Sequence, residues 1–275
     1  MAHSMKKTRE TTYYAVGLGF FLVVFFVAGG FVWKKIGNSL TEQKRAKVIE
    51  DVPLFEKDDF APVSFNDALE LPLPSPEPQK IDTALPAKIN LDVPFVPQAP
   101  EKIWTQPWQD ACEEAVMIMM DAYYKEYDVS IPLAKEKILD AVQWQDERGW
   151  GVSIEIEKMR QMMEEIYGFT PDSGLTLRLV AYPTISSLKQ FIANGQPILV
   201  VARGKDLHNP HFKNGGPEYH TLIIRGYTEE AFITNDPGTQ FGENYMYPHE
   251  ILLRAIHDWN NGDVIHGKPV VLVVE

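Results

Sequence analysis

The chain contains a single cysteine, Cys112, and its surroundings could activate the thiol. Asp110, two residues earlier, is an acceptable N-cap for a helix that the apolar spacing predicts over residues 110–127. A thiol at the second helical position meets free backbone N–H groups and the positive end of the helix dipole, which both favour the thiolate. The charges of Glu113 and Glu114 oppose it. Position alone leaves two interpretations open, a nucleophile and a small buried hydrophobic residue.

A nucleophilic cysteine needs a base, and His220 is the strongest candidate. It opens a predicted strand, His220–Tyr227, in which its neighbours hold the ring stiffly. Asp236 lies 16 residues further on, just after the next predicted strand at 231–234, so a hairpin can return its carboxylate to the imidazole. An acid in that position fixes the tautomer of the base, as in a catalytic triad. Taken alone, Asp236 before a Pro-Gly pair is also typical of a turn.

An acyl transfer site also needs donors for the oxyanion, and side-chain amides can provide them. Gln106 stands six residues before the cysteine and Gln109 three before it. Either glutamine alone is weak evidence, because glutamines are common on surfaces. Four roles filled in one order along the chain are stronger evidence.

The elements that must position these residues form a domain over residues 89–275. Three helices are predicted first, at 110–127, 132–148 and 153–167, then a strand at 176–181 and a helix at 186–193. Strands at 197–202, 220–227, 231–234 and 270–274 follow, with one more helix at 249–259. Helices that come early and strands that come late favour an α+β fold with a mostly antiparallel sheet.

The N-terminal part predicts a membrane anchor. After a tail at 1–12, residues 13–33 form an uncharged apolar run, about the 20 residues that span a bilayer. A cleaved signal peptide is the rival interpretation, but its apolar region is shorter and ends in a small-residue cleavage site. Residues 34–88 are predicted to be a stalk, first charged and then proline-rich. We expect a single-pass protein of the cell membrane with an extracytoplasmic domain, although basic residues flank both ends of the run.

Two sequence blocks resemble the C39-like papain-fold cysteine peptidases, in particular the stand-alone bacterial branch without a transporter. They are VPFVPQAPEKIWTQPWQDACEEA at 93–115 and GPEYHTLIIRGYTEEAFITNDPG at 216–238, and the resemblance covers roughly residues 89–275. It implies a papain-like fold with Cys112 as nucleophile, His220 as base, Asp236 as orienting acid and Gln106 as oxyanion glutamine. Asn235 is a reserve for Asp236, because papain-like enzymes often orient the base with asparagine.

One departure from the resemblance concerns the substrate. The transporter-linked members carry a glycine after the cysteine, and this chain has Glu113 there. The processing of double-glycine leader peptides is therefore not implied. The expected function is that of a membrane-anchored thiol hydrolase that cleaves a peptide or isopeptide bond through an acyl-thioester. The alternatives are an acyl transferase and a catalytically silent domain that binds a peptide or wall component.

The composition restricts the partners. With 26 Lys and Arg against 38 Asp and Glu, the formal charge of −12 has the wrong sign for holding nucleic acid. The partners predicted are a peptide or protein substrate, with Trp104, Trp108 and Gln109 as candidate contacts, and the membrane through residues 13–33. His208 and His211 could touch a metal, but their spacing within a loop is nonspecific, so we predict neither a metal site nor a cofactor.

Overall fold

The computed structural model describes residues 41–60 and 85–275. The predicted tail at 1–12 and membrane span at 13–33 lie outside the described residues. Among the residues that are described, no helix has both the length and the hydropathy needed to cross a bilayer. The chain divides into two compact units, one up to Asp51 and one from Val52 to Glu275. In the first unit, residues 41–50 are helical.

The second unit combines helices with one sheet. The strands described are β1 (Leu54–Phe55), β2 (Ile89–Leu91), β3 (Leu177–Ala181), β4 (Ile198–Ala202), β5 (His220–Tyr227), β6 (Ala231–Asn235), β7 (Tyr245–Pro248) and β8 (Val270–Val274). The helices are α1 (Cys112–Lys125), α2 (Ile131–Glu147), α3 (Ile156–Glu165), α4 (Ile185–Ala193) and α5 (His249–Ala255). The three long helices α1 to α3 precede most of the strands, as predicted.

The sheet is mostly antiparallel, which confirms that part of the prediction. Its main path runs β1-β2-β5-β4-β8-β3, and β6 joins β5 to β7. The pair β1-β2 is parallel, whereas the other strand pairs described are antiparallel. Strand β5 is central because it pairs with β2, β4 and β6.

Helix α1 lies in the middle of the core and packs on β5. Its residues from Cys112 to Tyr123 are all buried. A helix that is buried on every side has no need of a polar face, and the run AVMIMM supplies apolar side chains around the whole circumference. Burial of the helix fixes where its first residue lies, because the rigid backbone carries Cys112 with it.

The start of α1 differs from the prediction. The α-helix begins at Cys112 with Ala111 at the N-cap, and Asp110 belongs to a short 3-10 turn, Trp108–Asp110. The Asp110 side chain therefore does not cap the helix; its carboxylate accepts a hydrogen bond from Gln106 instead. Cys112 is thus the first residue of the α-helix and not the second.

Residues 52–60, which the sequence assigns to the stalk, lie in the same compact unit as the sheet. Strand β1 pairs with β2, and Phe60 packs so closely on Gly195 that a Cβ there would approach the ring to 2.5 Å. Lys57 Nζ donates to Tyr124 O at 2.9 Å and to Glu126 at 2.7 Å, near the C-terminus of α1. We call residues 52–60 the N-terminal strap.

Candidate active site

Cys112 and His220 line the same cavity, which has a volume of about 740 Å³. The first turn of α1 carries the cysteine, and the first residue of β5 carries the histidine. Because α1 packs on β5, the two residues line one cavity although 108 positions separate them in the sequence. Cys112 is 6% exposed and His220 is 1% exposed, so a ligand can reach either side chain only through this cavity.

The His220 ring is held on one side by Asp236. Its Nε2 lies 2.7 Å from Asp236 Oδ1, and the carboxylate is fully buried. The β5–β6 hairpin produces this contact, because its register pairs Ile223 with Asn235 and so brings the end of β6 back beside the start of β5. Since Nε2 is bonded to the acid, Nδ1 is the ring nitrogen left to accept a proton from a thiol.

Three further groups hold the Asp236 carboxylate. The Gly238 N–H donates to Oδ1 at 3.0 Å, and the Tyr247 hydroxyl donates to Oδ2 at 2.5 Å. Asn209 Nδ2 lies 3.3 Å from the same Oδ2 and 2.7 Å from the tyrosine oxygen. Sequence reasoning did not find Asn209 or Tyr247, because nothing in their local pattern links them to a residue on another strand or loop.

The pKa of Asp236 lies below its ordinary value. Burial by itself raises that pKa, but the charge of His220 and the hydrogen bonds from His220, Tyr247 and Gly238 outweigh it. An ionised Asp236 keeps the proton of His220 on Nε2. Nδ1 of the neutral ring is then the acceptor that a general base requires.

The walls around His220 leave its ring little freedom. Phe212 lies edge-on to the imidazole, with ring centroids 5.1 Å apart. A Cβ at position 238 would come within 2.7 Å of His220 Cε1, so only glycine fits there without a shift of its neighbours. The aromatic contact and the close approach of Gly238 restrain the ring further, in addition to the hydrogen bond that His220 Nε2 donates to Asp236.

The environment of Cys112 differs from the one expected. Glu113 and Glu114 are buried, at 1% and 2% exposure, and are not screened by solvent. Cys112 Sγ lies 2.9 Å from Glu113 Oε2 and donates to it. Burial, the charge of Glu113 and this hydrogen bond raise the pKa of the thiol well above its ordinary value. These effects favour the neutral thiol over the thiolate, so the opposing charges that the sequence analysis noted at Glu113 and Glu114 act in a buried environment.

The glutamines before the cysteine occupy different positions. Gln106 is exposed, its amide donates to Asp110 at 2.5 Å, and it is not among the residues that line the cavity. Gln109 does line the cavity. The structure therefore does not bring Gln106 together with Cys112 and His220, because the turn before α1 directs its side chain toward Asp110.

A third glutamine, Gln98, also lines the cavity. It is buried, and its amide donates to Trp108 O at 3.0 Å and to Gln109 O at 2.8 Å, which holds the turn that leads into α1. Sequence reasoning missed Gln98, although it stands inside the block VPFVPQAP that carried the family resemblance.

Asn235, the reserve for Asp236, faces a different set of partners. Its Nδ2 donates to Val93 O at 2.9 Å, and its Oδ1 accepts from the buried Arg225 at 3.3 Å. Successive residues of a strand point to opposite faces, so Asn235 and Asp236 cannot both reach His220. Of these two, the contact with the imidazole belongs to Asp236.

Of the two tryptophans predicted to contact the substrate, only one lines the cavity. Trp104 lines the cavity and is 42% exposed, as is usual for a ring that a ligand can cover. Trp108 packs against the hydrophobic core and does not line the cavity. Phe241, which the sequence analysis did not select, lines the cavity with 62% exposure and stacks on His211. In the described part of the chain, no three His, Cys, Asp or Glu side chains are grouped so that they could hold a metal ion.

Comparison with known proteins supports the family resemblance that the two sequence blocks indicated. The model of the Peptidase_C39 like family matches residues 90–263. The curated proteins give no significant match. A matching crystal structure is that of a Bacillus anthracis protein provisionally described as a C39-like peptidase, with 15% identity, coverage of 67% of this chain and 95% of that chain, and a TM-score of 0.44. The family match confirms the resemblance seen in the sequence, and the chain belongs to the Peptidase_C39 like family.

Proposed function

We propose that this protein is a cysteine peptidase that uses Cys112 as nucleophile, His220 as general base and Asp236 as the acid that orients the base. The proposal rests on one observation above the others: His220 is bonded to a buried carboxylate at 2.7 Å and lines the same cavity as the only cysteine of the chain. Membership of a peptidase family supports a peptide or protein as the substrate.

In the proposed reaction, His220 Nδ1 takes the thiol proton as Sγ attacks the scissile carbonyl. The tetrahedral intermediate collapses to an acyl-thioester when the imidazolium gives that proton to the leaving amine. Water then attacks the thioester, again with His220 as base, and releases the free thiol and the carboxylic acid. Asp236 stays ionised throughout and stabilises the imidazolium that forms in each half of the cycle.

The oxyanion needs N–H donors directed at the carbonyl oxygen. The backbone N–H groups in the first turn of a helix have no carbonyl partner within the helix, and that of Cys112, the first residue of α1, is the candidate nearest to the sulfur along the chain. Gln109, which lines the cavity, is a further candidate, and among the described residues its amide is held only by a long contact of 3.4 Å with Asp110. Gln106 can serve only if its amide leaves Asp110, so we assign it a conditional role.

The residues at the rim of the cavity indicate that the substrate carries an apolar side chain. Trp104 and Phe241 are both exposed there, and exposed aromatic rings at a cavity edge bury their surface when a ligand binds. We propose that the chain is anchored in the membrane through residues 13–33 and acts on the outer side. Its substrates are then peptides or proteins that reach the membrane surface.

A catalytically silent binding domain is the second candidate. The observation that favours it is the raised pKa of Cys112, because a neutral thiol beside a carboxylate is a poor nucleophile. The same cavity would then hold a peptide without cleaving it.

The test is the reaction of the full chain, in detergent, with a peptide-based electrophilic probe and with a peptide library. We expect labelling at Cys112 and cleavage after an apolar residue, both abolished in Cys112→Ala. Cleavage that persists in Cys112→Ala would contradict the proposal. Binding of library peptides without labelling or cleavage would favour the silent domain. New amide products in the presence of an added amine would identify an acyl transferase.

A further inference from the structure

The carboxyl group of Glu113 contacts the proposed nucleophile. Its Oε2 lies 2.9 Å from Cys112 Sγ, and the residue lines the cavity together with Cys112 and His220. The other oxygen, Oε1, is buried and has no hydrogen-bond partner in the part of the chain that the structure describes. A carboxyl group so enclosed is stable only if it is neutral or has a charged partner, and the side chain to which it is hydrogen-bonded is the uncharged thiol.

The groups around Glu113 provide little positive charge. The titratable groups that face it and its neighbour Glu114 are Cys112 on α1, Tyr219 and His220 at the start of β5, Asp110 in the turn before α1, Asp146 on α2 and, behind Tyr219, Asp258. Of these, only His220 can carry a positive charge. Burial raises the pKa of Glu113 to about 7, and the partial compensation comes from Cys112, backbone N–H groups and His220. Glu113 therefore changes its charge near neutral pH.

We propose that the protonation state of Glu113 controls whether Cys112 can become a thiolate. This inference rests on the proposed function of Cys112 and His220. With Glu113 protonated, the carboxyl O–H donates to the sulfur as the thiol proton moves to His220 Nδ1, which stabilises the thiolate and imidazolium pair. With Glu113 ionised, Oε2 accepts the S–H bond, and the two negative charges in contact oppose transfer of the proton. Glu113 is thus a positioning residue that makes the nucleophile available on the acidic side of neutrality.

The arrangement explains why a carboxylate can stand next to a catalytic cysteine. A permanently charged Glu113 would suppress the thiolate at every pH. A permanently neutral donor would support it at every pH. Glu113 changes from the neutral to the charged form as the pH rises. The reactivity of the thiol therefore falls with rising pH, which an isolated Cys–His pair would not show.

The experiment measures the rate of alkylation of Cys112 by iodoacetamide between about pH 5 and pH 9 in the full chain, where no other thiol can react. The Glu113→Gln variant replaces the titrating carboxyl with a neutral amide of the same shape. We expect similar rates for the two proteins at about pH 5, and a rate about tenfold or more higher in the variant at about pH 8, since each unit of thiol pKa is a factor of ten. Glu114→Gln is the matched control, because it removes the adjacent buried carboxyl, which acts on the sulfur by its charge and not by a hydrogen bond, and its rate at about pH 8 should rise much less than that of Glu113→Gln.

A constant ratio of the two rates across the pH range would overturn the proposal, as would a slower variant at about pH 8. If Glu113→Gln does not fold, the ultraviolet absorbance of the thiolate in the wild type gives a second reading. It should not rise between about pH 5 and pH 8, because the ionisation of Glu113 opposes the thiolate over that range, and a thiolate band that grows steadily from about pH 5 to pH 8 would also overturn the proposal.

Alkylation needs no substrate, so the result is independent of peptidase activity. The expected pH dependence in a protein that cleaves no peptide would refute the proposed function alone. Peptide cleavage with the same pH profile in the wild type and in Glu113→Gln would refute the role of Glu113 alone.

Discussion

The two sides of the site are built in opposite ways. On the side of the base, the Asp236 carboxylate accepts four hydrogen bonds, from His220, Gly238, Tyr247 and Asn209. On the side of the thiol, Glu113 and Glu114 each have a buried oxygen without a hydrogen-bond partner among the described residues. The base is therefore held in one orientation by a fully hydrogen-bonded carboxylate, whereas the thiol lies beside buried carboxyl groups that each leave one oxygen without a partner among these residues. The contrast is what the proposed role of Glu113 requires, namely a base in a fixed orientation and a thiol whose surroundings can titrate.

The largest expected effect is that of His220→Ala. Loss of a general base costs on the order of 10²- to 10⁴-fold in rate, so kcat/KM for a peptide substrate should fall by that factor. The control is His266→Ala, which removes an exposed histidine whose ring contacts only Asp263 among the pairs described. A variant that retains more than about a tenth of the activity would show that the base side does not take part in the chemistry.

The next effect is that of Asp236→Asn, which tests the base side through stability. Because the folded pKa of Asp236 is lowered, its ionised form contributes stability above the unfolded value of about 3.9, and this contribution is lost as the pH falls through the folded pKa. The variant should lose about 3 kcal/mol or more at neutral pH, since the hydrogen bonds of both Tyr247 and Asn209 to a charged acceptor would be replaced by contacts with an amide. Thermal unfolding between about pH 3 and pH 7 should converge for the two proteins at the acid end. Parallel curves would contradict the assignment of a charged Asp236.

Tyr247→Phe should have a smaller effect. It removes one hydrogen bond to a charged acceptor, which is worth about 1.5–3 kcal/mol, and it leaves the contact between Asp236 and His220 intact. The control is Tyr123→Phe, whose hydroxyl donates to the neutral carbonyl of Gly195 at 2.9 Å. Denaturant unfolding should show a larger loss for Tyr247→Phe than for Tyr123→Phe. Equal losses would mean that the carboxylate is not charged.

The smallest effect at acid pH is expected for Glu114→Gln, which tests the thiol side. Burial and the charge of Glu113 raise the pKa of Glu114 in the folded protein well above its ordinary value. As the pH rises above about 4.3, the unfolded chain loses the proton while the folded protein still holds it, and the free energy of unfolding therefore falls. The variant should match the wild type within about 1 kcal/mol near pH 5 and be more stable near pH 8. A melting temperature for Glu114→Gln below that of the wild type near pH 8 would show that Glu114 is stabilised as a charge.

The sequence predicted the base side better than the thiol side. The spacing of His220 and Asp236 on two consecutive strands dictates a hairpin, and hairpin geometry is local enough to place their contact. The burial of Glu113 and Glu114 could not be predicted in the same way, because acidic residues in a first helical turn are ordinarily solvated and favoured by the helix dipole. Their burial follows from the packing of all of α1 within the core.

Two other features depended on tertiary contacts. The spacing of six residues selected Gln106, but spacing does not give the direction of a side chain that leaves a 3-10 turn, and the structure directs it to Asp110. The proline content of residues 34–88 predicted a stalk, yet the strap at 52–60 pairs with β2 through only two residues. Such a short pairing has no periodicity that a sequence could reveal.

The strap also has a mechanical consequence. Lys57 holds the last turn of α1 by its bonds to Tyr124 O and Glu126, and the first residue of the same helix is Cys112. A helix of 14 residues is a stiff rod about 21 Å long. Because β1 pairs with β2 and Lys57 contacts the last turn of α1, tension on the chain ahead of Val52 would act both on the sheet and on the far end of the helix that begins at Cys112.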